Sequence, residues 1–174
     1  MITNHKKNSV LIFLPAKDFN EQEYLVVSNK LLKTNYKVFI VSDSPFVCVG
    51  SKGLKVKNDV QLYNVHEENF AGFILIGGKG TRDYWNNKTL HLILLEFYNG
   101  KKAIGAICSA PVILAKAGIL INYATCFIDD KKELEREGIE YKNVSVFSEN
   151  KIVTGQNPAS SEEFIDTFLA QLSN

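Results

Sequence analysis

The chain reads as an α/β protein: a twisted, mostly parallel sheet with helices on both faces. Three observations predict this. Four apolar runs of strand length lack the polar alternation of a half-solvated strand, helical patterns fall between or after them, and no linker, repeat or low-complexity tract interrupts the succession. A single domain over residues 1–174 follows, long enough to bury one substantial core.

The strands are expected at Ser9 to Leu14 ("SVLIFL"), Lys37 to Ser42 ("KVFIVS"), Gly72 to Gly78 ("GFILIGG") and Ala103 to Cys108 ("AIGAIC"). Runs with so little polarity suit parallel strands covered on both faces. Helices are expected over "NEQEYLVVSNKLLK", "NKTLHLILLEFYN", "APVILAKAG", "DKKELEREG" and "SSEEFIDTFLAQL", the last capped by Ser160 or Ser161. Two more polar stretches, "VCVGSKGLKVKND" and "VSVFSENKIVTG", read as hairpins at the margin of the sheet.

Bulk chemistry excludes several classes. Twenty basic residues against nineteen acidic ones leave a formal charge of +1, without the basic stripe that nucleic acid requires, so nucleic acid is not expected as a partner. The basic N-terminus precedes an apolar run, Val10 to Leu14, that is too short for a secretory signal and is followed by Lys17 and Asp18. No run approaches the about 18 apolar residues of a membrane span. The expectation is a cytoplasmic protein with no membrane association. Its three cysteines, Cys48, Cys108 and Cys126, are an odd and unpaired set, expected to be reduced.

In open sheets of this class, ligands bind beyond the carboxyl ends of the strands. Three features are expected there: the turn "PAKDFNEQE" with Glu23, the "GGKG" loop, and Cys108. Cys108 stands between a buried strand and a small-residue helix, flanked by Gly105, Ala106, Ser109 and Ala110, with Pro111 in the first helical turn. A tight strand-to-helix turn of this kind forms a nucleophile elbow, which pushes the side chain out at the rim of the sheet. The helix terminus and its free N–H groups then favour thiolate, giving an exposed sulfur with a pKa below the ordinary cysteine value of about 8.5. Backbone N–H groups of Gly78 and Ser109 are candidates to hold an oxyanion. Glu23 lies four and eight residues before Val27 and Leu31, at the flank of its helix's apolar face, where a protonated carboxyl would donate to sulfur and shuttle a proton. "GGKGTRD" lacks the spacing of a dinucleotide fingerprint, and no metal-ligand spacing occurs, so no cofactor and no metal are expected.

At "AICSAP", "ILIGGKG" and "DFNEQE" the sequence resembles the ThiJ/PfpI superfamily, and the likeness extends through "YKVFIVS" and "SENKIVTGQNPASSEEF" to most of the chain. The resemblance implies a flavodoxin-like three-layer sandwich, a homodimer, a reactive cysteine at Cys108 and a partner glutamate at Glu23. It also places Cys48 near the dimer contact of relatives. Protease- or amidase-type members carry histidine directly after the cysteine, where this chain has Ser109. Deglycase-like members carry it in the strand after the elbow helix, where "YATCFID" presents Cys126 or Phe127. Cys126 would then be a second thiol in the pocket. His5, His66 and His91 all precede the elbow, which excludes the cysteine-then-histidine order of related amidotransferases; His91, amid the apolar residues of "TLHLILLEF", reads as structural. Without imidazole, protease or amidase activity is disfavoured.

The expected function is glyoxalase- or deglycase-like chemistry on a small carbonyl substrate, with Cys108 as nucleophile and Glu23 as acid/base. The alternative is an oxidative-stress sensor or chaperone-like protein whose small-molecule partner is an oxidant and whose Cys108 becomes a sulfenic or sulfinic acid.

Overall fold

The computed structural model describes residues 8–172; His5 lies outside them. In chain order the elements are β1 (Ser9–Phe13), β2 (Lys17–Phe19), α1 (Glu21–Leu32), β3 (Lys37–Ser42), β4 (Val47–Gly50), β5 (Lys55–Lys57), β6 (Val60–Gln61), β7 (Gly72–Leu75), α2 (Lys88–Asn99), β8 (Ala103–Ile107), α3 (Pro111–Lys116), β9 (Tyr123–Ala124), α4 (Lys131–Arg136), β10 (Glu140–Tyr141), β11 (Val146–Glu149), β12 (Ile152–Gly155) and α5 (Ser161–Leu172). The main sheet has seven strands in the order β11-β12-β8-β7-β1-β3-β6, parallel throughout except for the antiparallel β11. Helices cover both faces, the flavodoxin-like layering expected from the sequence.

The absence of polar alternation in the strands now has its reason. Successive residues of β1 point to opposite sides, and each side meets helices. Leu11 and Phe13 join Phe73 and Leu75 of β7 under α2 and α3, packing with Leu94, Phe97 and Ile113. Val10, Ile12 and the following Leu14 join Ile74 and Ile76 under α1 and α5, against Val27, Leu31, Phe164 and Phe168. A third, smaller cluster links α3 to α4 through Val112, Ala115, Cys126 and Leu134. Among the described residues, no helix is long and apolar enough to cross a membrane.

Three expectations need correction. The hairpin "VCVGSKGLKVKND" does form, as antiparallel β4 and β5, but it builds a separate three-stranded sheet with β2 instead of edging the main one. Two-residue β6 takes that edge, because β2 rises from the "AKDF" turn and offers the hairpin its own partner. In the second hairpin only β11 is marginal. All four residues of β12 are buried, and it lies parallel to β8 inside the sheet. At α5, neither serine hydroxyl receives a backbone N–H among the described residues: Asn157 Oδ1 takes that of Ala159 (3.0 Å) one turn earlier, while Ser161 Oγ donates to Pro158 O (2.7 Å).

Candidate active site

The carboxyl ends of β1, β7 and β8 bring together the three features that the sequence placed there. Cys108 follows β8 with φ +63°, a left-handed backbone conformation unusual for a residue with a side chain. Neighbouring chain segments hold it in place. Its N–H donates to Gly155 O (2.9 Å) at the end of β12, and its carbonyl accepts from Phe127 N–H (2.7 Å). Such over-determination is what sustains a strained turn, so the elbow expected from the small flanking residues is present.

Glu23 arrives from the first turn of α1. The Asn20 side chain caps this helix by accepting the Glu23 N–H (3.1 Å), and the Asn20 N–H donates to Gly77 O (2.8 Å). Helix start and glycine pair are thereby joined. The Gly77 N–H in turn donates to Glu23 Oε2 (2.8 Å). A methyl group on Gly77 would sit 2.6 Å from Cys108 Cβ and 2.9 Å from Glu23 Oε2, so carboxyl, glycine and elbow are in mutual contact. Glu23 is fully buried, deeper than the helix flank suggested, and its Oε1 has no hydrogen-bond partner among the described residues.

Burial governs the electrostatics. It raises the Glu23 pKa from 4.5 to about 7, with the Gly77 N–H and the Cys108 thiol pulling the other way. Cys108 is only 7% exposed. Burial foremost, then the Glu23 charge, push its thiol well above the usual cysteine range, while the Ser109 N–H facing the sulfur opposes this. This overturns the expectation of an exposed, low-pKa thiolate. The six-residue α3 starts without a side-chain cap, and desolvation outweighs what its terminus offers. At Glu23 the direction is the expected one, because burial raises the carboxyl and favours its neutral form. The Gly77 N–H only partly opposes that rise, and carboxyl and thiol form a coupled pair in which Glu23 is placed to exchange a proton with Cys108.

The remaining candidates separate. Gly78 sits at φ +123°, and a Cβ there would meet Asn20 N and Asp18 O at 2.5 Å, so glycine is required; its N–H donates to Ser109 Oγ (3.2 Å). Cys126, which the resemblance offered as a pocket thiol, is fully buried in the α3–α4 cluster, donates to Phe127 O (3.2 Å), and has its pKa pushed up to about 12 by burial. Phe127 instead packs on the cluster that contains Cys108. Of the two residues that "YATCFID" offered, Phe127 is thus the one whose side chain packs with the Cys108 cluster, and its backbone N–H donates to Cys108 O. Cys48 is a buried core residue of β4. His91 is structural, its Nε2 hydrogen-bonded with Trp85 O (2.8 Å), and His66 lies exposed beside Glu68.

Sequence reasoning missed Asp130, Arg82 and Trp85. Asp130 is 4% exposed, and its Oδ1 accepts from both Nε and Nη2 of Arg82 (3.0 and 2.9 Å), joining the segment after Cys126 to the "GGKGTRD" loop. Trp85 Nε1 donates to Ser109 O (2.9 Å). Their partners are distant in sequence, so no local pattern announces them. Among the described residues, no three His, Cys, Asp or Glu side chains gather as metal ligands.

Fold and site together define an α/β protein with an elbow cysteine set against a buried carboxyl. The chain belongs to the DJ-1/PfpI family, whose model matches residues 8–171. It is 33% identical over 159 residues to an uncharacterised protein of Methanocaldococcus jannaschii, covering 89% of this chain and 78% of that one. It is 27% identical over 158 residues to a glutathione-independent glyoxalase of Caenorhabditis elegans, covering 91% and 85%. The crystal structure of a ThiJ/PfpI domain protein from Brachyspira murdochii shares the fold with a TM-score of 0.92 at 24% identity, covering 96% and 97%.

Proposed function

We propose that the protein is a cofactor-independent glyoxalase- or deglycase-like enzyme that uses Cys108 and Glu23 on small reactive carbonyls such as methylglyoxal. The observation that carries this is the buried Glu23 carboxyl held against the elbow by Gly77, with a pKa of about 7. A general base is most effective with its pKa near the working pH. As sulfur attacks the aldehyde carbon, the S–C bond forms, the π pair moves to oxygen and the thiol proton passes to Glu23. The hemithioacetal carbon then loses its proton while the neighbouring ketone carbon gains one, which leaves a thioester of a 2-hydroxy acid. Water cleaves the thioester, giving lactate and the free thiol. One carbon is oxidised and its neighbour reduced, so no external oxidant or reductant is consumed.

The glyoxalase relative supports this reading by analogy. Ser109 at the position of the protease-type histidine removes the imidazole that peptide hydrolysis would use. Lactate formation from methylglyoxal by the purified protein, lost in Cys108→Ala, is the test; a native protein that forms no lactate overturns the reading. The same reading includes a homodimer, so light scattering at micromolar concentration should give twice the chain mass.

A further inference from the structure

The Gly77–Gly78 peptide is fixed from several directions. The Asn20 N–H holds Gly77 O, Glu23 receives the Gly77 N–H, and the backbone of residues 18–20 fills the space beside Gly78. The last tie is of another kind. Ser109, 1% exposed, accepts the Gly78 N–H through Oγ (3.2 Å) and donates its own proton to Gly78 O (2.9 Å). Three of these contacts are backbone or a carboxyl built into the site, whereas a hydroxyl on one rotatable bond can turn away. The Gly78 N–H bond is also long for a hydrogen bond, and the other bond to the same glycine does not depend on it.

Both N–H groups suited to stabilise an oxyanion therefore lie at Ser109. Its own N–H faces the Cys108 sulfur, and that of Gly78 is taken up by its hydroxyl. We propose that the Ser109 hydroxyl is a positioning residue that keeps the Gly78 N–H occupied in the resting site and surrenders it when an oxyanion forms on a carbonyl attacked by Cys108. The hydroxyl thereby sets the strength of the oxyanion hole. This rests on the nucleophilic role of Cys108 given above. Each addition must first break a neutral hydrogen bond, a penalty equivalent to about fivefold in rate. The compensation is order: without the hydroxyl, the glycine pair that orients Glu23 loses its link to the elbow.

The test compares two reactions of Cys108 in the purified full chain, with mass spectrometry confirming the labelled residue. Acetylation by p-nitrophenyl acetate passes through a tetrahedral oxyanion: the S–C bond forms, the ester C–O bond breaks, p-nitrophenolate leaves and the thiol proton passes to Glu23. Alkylation by iodoacetamide displaces iodide and forms no oxyanion. Their rate ratio cancels changes in access and thiol ionisation. Ser109→Ala should raise the ratio about fivefold, Ser109→Gly should do likewise as an independent hydroxyl-free variant, and Ser109→Thr, which keeps the hydroxyl, should stay within about twofold of native. A ratio that is unchanged or lower in both hydroxyl-free variants overturns the proposal, because the hydroxyl would then be a mere strut or itself the oxyanion donor. A native protein that reacts with both reagents while forming no lactate removes only the glyoxalase reading. One in which Cys108 reacts with neither removes both.

Discussion

Cys108 and Cys126 make a natural experiment inside one molecule. Both are buried, both lie near the carboxyl ends of the sheet, and burial raises the pKa of both. They differ in what surrounds the sulfur. Cys108 has a left-handed backbone, a carboxyl reached through Gly77 and the Ser109 N–H; Cys126 has apolar side chains of α3 and α4 and a carbonyl for its proton, with the charges of Asp130 and Glu135 acting on it without a shared glycine contact. The reactivity proposed for Cys108 therefore has to come from the arrangement of backbone and carboxyl, since burial alone treats the two alike.

The comparison is broken most directly by removing each sulfur. Cys108→Ala should lower lactate formation by at least about 10³-fold, whereas Cys126→Ala should keep most of it and show only the modest destabilisation of a small buried vacancy. Equal losses would mean that the two thiols are not distinguished by their surroundings. Removing the carboxyl is the next largest effect. Glu23→Gln should reduce turnover about 10²- to 10⁴-fold and abolish a rate increase centred near pH 7 in the native protein. A native profile flat from pH 6 to 8 would deny Glu23 the role of base.

The scaffold between the two groups can be tested through stability. In Gly77→Ala the added methyl would lie 2.6 Å from Cys108 Cβ and 2.7 Å from Ile107 O, and both contacts are with rigid parts of the elbow. Urea unfolding should show a loss of about 3 kcal/mol, at the upper end for overpacking. The smallest expected effect is one of pH. Glu23 has its folded pKa raised from 4.5 to about 7, so the native state holds this proton more tightly than the unfolded chain does. Its contribution is full below about pH 4.5 and is lost as pH rises through about 7, amounting to at most about 3 kcal/mol. Glu23→Gln should flatten this dependence; an unchanged slope would show that other groups produce it.

Much of this site was legible in the sequence because its demands are local. A cysteine between an apolar strand and a small-residue helix with Pro111 can be read residue by residue, and so can adjacent glycines after a strand. Its electrostatics were not legible. The helix terminus suggested an exposed thiolate, but exposure depends on which distant segments close over the turn, and β12 and Phe127 both do so. Glu23 at the flank of a helix gave no sign that the glycine pair would seal it completely. Likewise, three-residue β2 lies in a turn with too little pattern to announce that it would recruit the β4–β5 hairpin away from the main sheet. Nor could the sequence show that Cys126 and Phe127, adjacent in the chain, would pack into different clusters.

The bond from the Cys108 N–H to Gly155 O carries a consequence for biosynthesis. β8 and the elbow residues are translated 47 residues before Gly155. At ribosomal speeds of about 5 to 20 residues per second, that interval lasts roughly 2 to 10 s. Throughout it, β8 lacks its neighbour on one side and the strained turn lacks the acceptor for its amide. The nascent chain thus carries its thiol incompletely shielded until β12, late in translation and next to β8 in the sheet, completes the seal.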